Sequence, residues 1–160
     1  MAIAPTTRRR LEIQGFVGLD DDTLAAAEPW LRVAPALCAT VCAAGTALAS
    51  PAILWVLAAT ALLGAILPFH PFDLIYSAGV RRLTGSPPLP ANRAPRRFAC
   101  AVGSAWLLTT GALFTTGATI AAYALGGAFV ATAGLVATIH VCIPSLIYGA
   151  ACSRLPARAL

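Results

Sequence analysis

Charged residues divide the chain into alternating polar and apolar stretches. Residues 33–72 contain no Asp, Glu, Lys or Arg over forty positions, and residues 98–153 contain none over fifty-six. About 20 apolar residues cross a bilayer as a helix, and helices satisfy all their backbone polar groups internally. Each uncharged stretch therefore predicts a hairpin of two transmembrane helices. The expected fold class is an all-α integral membrane protein with four spans.

Proline, serine and glycine residues set the predicted boundaries inside these stretches. The first hairpin is expected to turn at Ser50-Pro51, where serine would cap the second span and proline would open it. The second hairpin is expected to turn at 115–117. Proline breaks at Pro71 and Pro144 end the two hairpins, and a short interfacial helix is expected after each. The predicted spans cover residues 33–49, 51–67, 98–114 and 118–140.

This pattern predicts five regions along the chain. They are an N-terminal arm (1–32), a first hairpin with its interfacial helix (33–84), a proline-rich basic connector (85–97), a second hairpin with its interfacial helix (98–155) and a C-terminal tail (156–160). Residues 1–15 are expected to be disordered. Residues 20–31 read as a short helix that begins with an aspartate cap and further acids in its first turn.

The distribution of arginine predicts the orientation of the spans. All eleven basic residues are arginines, and they lie before the first span, between the second and third, or after the fourth. The positive-inside rule therefore places both termini and the connector in the cytoplasm. The arginine- and alanine-rich composition is typical of a bacterial protein, so the expected location is a bacterial inner membrane. The sequence contains no motif of basic and aromatic residues that is typical of nucleic-acid recognition, so nucleic-acid binding is not expected.

The two hairpins end in similar sequences. Residues 74–78 (LIYSA) and 146–150 (LIYGA) match at a constant offset, and each match follows a proline break. A tandem duplication of a two-helix unit would produce this similarity. An apolar, aromatic and basic exit common to membrane helices would also produce it.

Histidine and cysteine residues gather near the cytoplasmic ends of the predicted spans: His70, His140, Cys142, Cys100, Cys38 and Cys42. They allow a thiol or metal site, because both residue types bind soft and borderline metals. They also allow haem ligation by the two histidines. A purely structural role is the third interpretation, with histidines capping carbonyls and cysteines packing as small apolar side chains. The cofactor is therefore unknown, and the cytoplasmic side disfavours a disulfide.

Two prolines and one acid add structural candidates to this set. Pro144 lacks the N–H that would bond the carbonyl of His140, and Pro71 leaves the carbonyl of Leu67 free in the same way. Such carbonyls need a partner from another helix, a water or a ligand. Asp73 either caps the helix that follows it or pairs with Arg96 or Arg97 across the connector.

Three motifs carry a resemblance to a known family: HPFD at 70–73, APRRFAC at 94–100 and CIPS at 142–145. They resemble a family of small bacterial membrane domains known only as a domain of unknown function. The resemblance implies a four-helix membrane protein, and some relatives are joined to or encoded with thioredoxin-like domains. In some relatives the last motif resembles a C-x-x-C pair, whereas Ser145 takes the fourth position here.

The leading functional expectation is a non-catalytic accessory or assembly subunit of a larger membrane complex, for example a respiratory or photosynthetic one. Small residues within the spans favour docking against other helices, and no span contains a charge. The alternative is a thiol-redox or metal-handling protein that works with a thioredoxin-like partner. A transporter has the least support, because four uncharged spans offer little that could bind an ion.

Overall fold

The computed structural model describes residues 3–84 and 88–152 of the chain, and within these residues the secondary structure is entirely helical. Its helices are α1 (Pro5–Ile13), α2 (Asp21–Leu31), α3 (Val33–Ala47), α4 (Pro51–Ile66), α5 (Asp73–Ile75), α6 (Arg81–Thr84), α7 (Ala94–Thr115), α8 (Thr119–Ile139) and α9 (Ile143–Cys152). A π-helical segment, Tyr76–Val80, joins α5 to α6. The predicted all-α fold class is confirmed.

Four long helices form the centre of the molecule. Helices α3 and α4 make one hairpin, α7 and α8 make the other, and the largest contacts join α4 to α7 and α3 to α8. In a duplicated two-helix unit, α3 corresponds to α7 and α4 corresponds to α8. The α4–α7 interface then corresponds to the α8–α3 interface, as the contacts show. The core between the helices contains buried apolar side chains from each of them: Cys42, Leu54, Leu57, Ala58, Ala61, Leu107 and Phe129.

Three apolar helical segments are long enough to span a membrane. They are Asp21–Ala47 with 27 residues, Ala94–Thr115 with 22 and Thr119–Ile139 with 21. Helices α2 and α3 count together because only Arg32 separates them. Helix α4, the second predicted span, is a shorter apolar helix of 16 residues, or about 24 Å at 1.5 Å per residue. The chain is thus a helical membrane protein with three clear candidate spans.

The described part of the N-terminal arm is folded, so the prediction of disorder over residues 1–15 was wrong for residues 3–15. Helix α1 occupies Pro5–Ile13, and Leu11 is completely buried. Leu11 and Phe16 form a second apolar cluster with Leu24, Ala27 and Leu31 of α2. Burial of this small apolar face stabilises α1 despite its three consecutive arginines. The arm is therefore part of the fold.

Several predicted ends agree with the structure, and the predicted serine cap of α4 does not. Asp20 caps α2 by accepting a hydrogen bond from the Thr23 N–H at 3.0 Å, as predicted. Ser50 precedes α4 but makes no side-chain capping bond. Helix α8 ends before Pro144, because His140 adopts a left-handed conformation with φ of 57°. Residues 85–87 of the connector and the 156–160 tail lie outside the described residues.

Candidate functional site

A cavity of about 350 Å³ lies at the basic end of the bundle. Helices α3, α7, α8 and α9 supply most of its wall, which is predominantly apolar and includes Phe98, Val102, Trp106, Phe129, Val136 and Ile147. Small residues, among them Ala99, Gly103 and Ala133, leave space between the larger side chains. The volume lies within the range of small-molecule sites in proteins.

Three of the predicted candidate cysteines line this cavity. Cys38 comes from α3, Cys100 from α7, and Cys142 immediately precedes α9. Cys142 is buried, and its sulfur accepts a hydrogen bond from the Ser145 hydroxyl at 3.1 Å. Ser145 thus occupies the position that a second cysteine would take in a C-x-x-C motif, and its hydroxyl is hydrogen-bonded to Cys142. The fold brings together thiols that are up to about a hundred residues apart in sequence.

His70 also lines the cavity, in the loop between α4 and α5. Its Nδ1 accepts a hydrogen bond from the Phe72 N–H at 3.3 Å, so the neutral ring carries its proton on Nε2. That Nε2 lies 3.9 Å from the sulfur of Cys38. Burial lowers the pKa of His70, and the nearby Arg96 charge lowers it further, while Asp73 opposes the shift. At neutral pH the cavity therefore contains an uncharged imidazole.

Arg96 and Asp73 form an ion pair at the polar end of the cavity. Nη2 of Arg96 lies 3.5 Å from Oδ1 of Asp73, and both side chains are largely buried. The other carboxylate oxygen of Asp73 accepts a hydrogen bond from the His70 N–H at 3.1 Å. Of the two roles predicted for Asp73, pairing with Arg96 is observed. The Asp73 side chain accepts from the N–H of His70, which precedes α5, and makes no capping bond to α5 itself.

Arg97 takes a different role from Arg96. Its guanidinium donates to the carbonyls of Ala65 at 2.7 Å and Ile66 at 2.9 Å. These are terminal carbonyls of α4, which lack partners within their own helix. Arg97 therefore ties the end of α4 to the beginning of α7 and does not contact Asp73.

His140 and Cys42 lie away from this cavity. Nε2 of His140 is 2.7 Å from Oε1 of Glu28. Burial lowers the pKa of His140, and the Glu28 carboxylate opposes that shift. The Cys42 sulfur contacts Thr46 at 3.8 Å and the carbonyl of Gly126 at 3.9 Å, within the packed core. Both residues therefore have local structural partners.

The candidate ligands do not converge on a metal. Within residues 3–84 and 88–152, no group of three His, Cys, Asp or Glu side chains is arranged to hold a metal ion. The two histidines proposed as haem ligands have different surroundings, since His70 lines the cavity and His140 bonds Glu28. The site offers thiols, a neutral imidazole and a guanidinium facing a mostly apolar space.

Sequence reasoning missed three parts of the site. Gln14 lines the cavity and donates from Nε2 to the carbonyl of His140 at 2.9 Å. It supplies the partner that the carbonyl opposite Pro144 was predicted to need. Trp106 and Phe129 form part of the wall and meet edge to face, with ring centroids 6.0 Å apart. Their positions on two apolar helices gave no signal that a cavity lies between them.

Comparison with known proteins assigns the chain to a family. A family described as a domain of unknown function, DUF4395, matches residues 27–152. This range includes the three sequence motifs and all the cavity residues named above except Gln14. No curated protein and no solved structure matches the chain. The chain therefore belongs to the DUF4395 family of domains of unknown function.

Proposed function

We propose that this protein binds a small lipid-soluble molecule in the cavity at the basic end of its bundle. The observation that carries the proposal is the convergence of three thiols, His70 and Arg96 on one apolar cavity of about 350 Å³. A mostly apolar wall with a few convergent polar groups is typical of ligand sites. A molecule already dissolved in the bilayer would enter such a site without leaving an apolar medium.

The proposed setting is a bacterial inner membrane, crossed by α4 as well as the three longer helices. The contacts of Arg97 with Ala65 and Ile66 support this placement, because they hold the end of α4 level with the beginning of α7. The arginines of the connector and N-terminal arm lie at this end, which the positive-inside rule assigns to the cytoplasm.

This proposal modifies the thiol alternative derived from the sequence. The thiols of Cys38, Cys100 and Cys142 are gathered at one cavity, which supports a site built around them. Direct exchange with a thioredoxin-like partner has less support, because Cys142 is buried and Cys38 and Cys100 are partly buried. A small molecule reaches such thiols more readily than the surface of another protein does.

Fluorescence quenching of Trp106 tests the proposed function. A variant that keeps Trp106 as its sole tryptophan, with Trp30→Phe and Trp55→Phe, would be titrated with 1-bromodecane in detergent. We expect a saturable component of quenching, because the bromine enters a finite site. Gly103→Leu should remove that component: a Cβ at Gly103 lies 3.5 Å from the Phe129 ring, so the rest of the side chain extends into the cavity.

Gly127→Leu is the matched control for this experiment. Gly127 is on α8 and has no atom within 4 Å of an added Cβ, so the same side chain leaves the cavity unchanged. Saturable quenching should persist in this variant. Quenching that rises linearly in all three proteins would reflect detergent partitioning only and would overturn the proposal.

A second candidate function, an accessory subunit of a larger membrane complex, is favoured by the outer surface of α8. Gly127 and Gly134 are seven residues apart, and open space surrounds the Cβ position of each. Small residues at this spacing share a helix face and allow another helix to approach closely. Gly127→Trp should release a co-purifying membrane partner while preserving cavity binding; retention of the partner would remove the support from this face.

A further inference from the structure

The polar end of the cavity contains a hydrogen-bond donor that lacks a partner. Arg96 is 9% exposed and lines the cavity. Its Nη1 is buried and has no hydrogen-bond partner among the described residues. A buried polar atom without a partner is unfavourable, so natural proteins rarely leave one unpaired. The unpaired N–H therefore indicates a molecule that accepts a hydrogen bond at this point.

The charges around Arg96 define the kind of acceptor. Nη2 of Arg96 lies 3.5 Å from Oδ1 of Asp73, which also has no hydrogen-bond partner among the described residues, so the carboxylate balances the guanidinium through charge alone. Its plane also lies over the Phe16 ring, 5.4 Å from the centroid. A bound anion would gain little from the balanced guanidinium and would be repelled by Asp73. A neutral acceptor has no net charge, so Asp73 repels it much less than it repels an anion.

The remaining wall favours a flat and apolar molecule. Phe98, Trp106 and Phe129 contribute aromatic rings, and Gly103 allows close approach to α7. Aromatic side chains pack against flat rings through offset-stacked and edge-to-face contacts. The uncharged His70 lies at the same end as Arg96 and adds polarity without net charge.

Building on the proposed function, we propose that the cavity binds a neutral lipid-soluble quinone, with one carbonyl oxygen accepting a hydrogen bond from Nη1 of Arg96. A quinone combines a flat neutral ring, carbonyl acceptors and an apolar tail. Its ring lies against the aromatic wall, and its tail leaves the polar end along the apolar helices. This assignment concerns binding and requires no electron transfer.

Three ten-carbon probes separate the head groups: decylubiquinone as the neutral carbonyl, decanoate as the anion, and decylbenzene as the ring without an acceptor. Binding of each probe to the full-length protein in detergent would be measured by isothermal titration calorimetry, which needs no quenching group on the probe. We expect decylubiquinone to bind about tenfold more tightly than decylbenzene, which corresponds to about 1.4 kcal/mol for one hydrogen bond. Decanoate should bind more weakly than decylubiquinone. Tighter binding of decanoate would overturn the quinone assignment.

The double variant Asp73→Asn, Arg96→Gln removes the guanidinium without leaving an unpaired buried charge. Its affinity for decylubiquinone should fall about tenfold, to the level of decylbenzene, whose affinity should not change. Arg97→Gln is the matched control, because Arg97 bonds the end of α4 and is absent from the cavity wall. Both affinities should be unchanged in that variant. A thermal unfolding scan confirms that the double variant is folded.

The outcomes distinguish this inference from the proposed function. Full affinity for decylubiquinone in the folded double variant would mean that water satisfies Nη1, and the quinone assignment would fail while the ligand site remained. If neither neutral probe binds the wild-type protein more than the Gly103→Leu variant, the proposed function fails as well. A double variant that does not fold is replaced by Arg96→Lys, which keeps the charge and removes the fork of N–H donors. Its affinity for decylubiquinone should also fall.

Discussion

Pro144 illustrates how one missing N–H shapes the basic end of the bundle. The carbonyl of His140 has no partner four residues later, and α8 ends there in a left-handed residue. Gln14, a residue of the N-terminal arm, donates to that carbonyl at 2.9 Å, and Arg10 donates to the carbonyl of Ile139 at 2.9 Å. The end of a central helix is thus completed by side chains from the first fifteen residues.

Replacing Gln14 by leucine should destabilise the fold. Gln14 is 5% exposed, so the substitution would leave the His140 carbonyl buried without its donor. The expected loss is about 1–3 kcal/mol in the free energy of unfolding. Chemical denaturation in detergent, followed by circular dichroism, would measure it. Arg9→Gln, at an exposed position of the preceding helix α1, is the control, and equal stability of the two variants would contradict this role for Gln14.

The buried His70 predicts a dependence of stability on pH. Its folded-state pKa is below the ordinary value of 6.5, so the unfolded chain binds a proton first on acidification. The contribution of His70 to the free energy of unfolding is therefore constant above about pH 6.5. It becomes destabilising as the pH falls below that value, because the unfolded chain then takes up a proton that the folded protein does not. His70→Gln should therefore reduce the decrease in unfolding temperature between pH 7.5 and 5.5. The same decrease in the variant would show that other groups cause it.

At the scale of elements, small residues set the distance between α3 and α8. A Cβ on Gly126 would overlap the hydroxyl of Thr46 and lie 2.6 Å from its Cγ2. Gly111 of α7 is equally close to Trp55 of α4, with 2.7 Å to Cδ1. In lipid, close contact of this kind is a main source of helix association, because apolar burial gives little driving force there.

Gly126→Ala should therefore weaken the bundle, and its neighbour provides the comparison. Overpacking at a site of this kind costs about 1–3 kcal/mol. Gly127→Ala places the same methyl group in open space, so its effect should stay within about 0.5 kcal/mol. Thermal unfolding of the two variants in one detergent measures the difference. A Gly126→Ala variant as stable as Gly127→Ala would contradict the observed α3–α8 packing.

The helices with the clearest local pattern of apolar and charged residues were predicted best. The apolar helices α3, α4, α7 and α8 were predicted within a few residues of their bounds. An uncharged stretch of forty or more residues is long enough for two membrane-spanning helices and is rarely compatible with any other fold. Helix α1 was missed because its stability comes from Leu11 and Phe16 packing on α2, a tertiary effect hidden behind three arginines. The cavity could not be predicted either, since it depends on how α3, α7, α8 and α9 pack.

At the scale of the whole molecule, the two hairpins form a closed bundle with one specialised end. Arginines, histidines and the three cavity thiols lie at the end of the bundle where α7 begins and α8 ends. The opposite end contains the two short turns, which carry no charge. This asymmetry predicts a fixed orientation in the membrane, with the cavity on the cytoplasmic side.

Reporter fusions test that orientation. A fluorescent or phosphatase reporter at Leu160 should report a cytoplasmic C-terminus, and a cysteine at Thr116 should react with a membrane-impermeant maleimide from outside. The expected result follows from the positions of the arginines in the sequence, which lie before the first predicted span, between the second and third, or after the fourth. A periplasmic signal at Leu160, or labelling of Thr116→Cys only after lysis, would contradict the assigned topology.

The native mass of the gently extracted protein shows most directly whether the cavity holds a small molecule. We expect a species heavier than the chain by a few hundred daltons, within the range of ligands that such sites accommodate. Gly103→Leu should lose this added mass, and Gly127→Leu should retain it. A wild-type protein that carries no small molecule, or a Gly103→Leu variant that carries the same one, would contradict the proposed binding site.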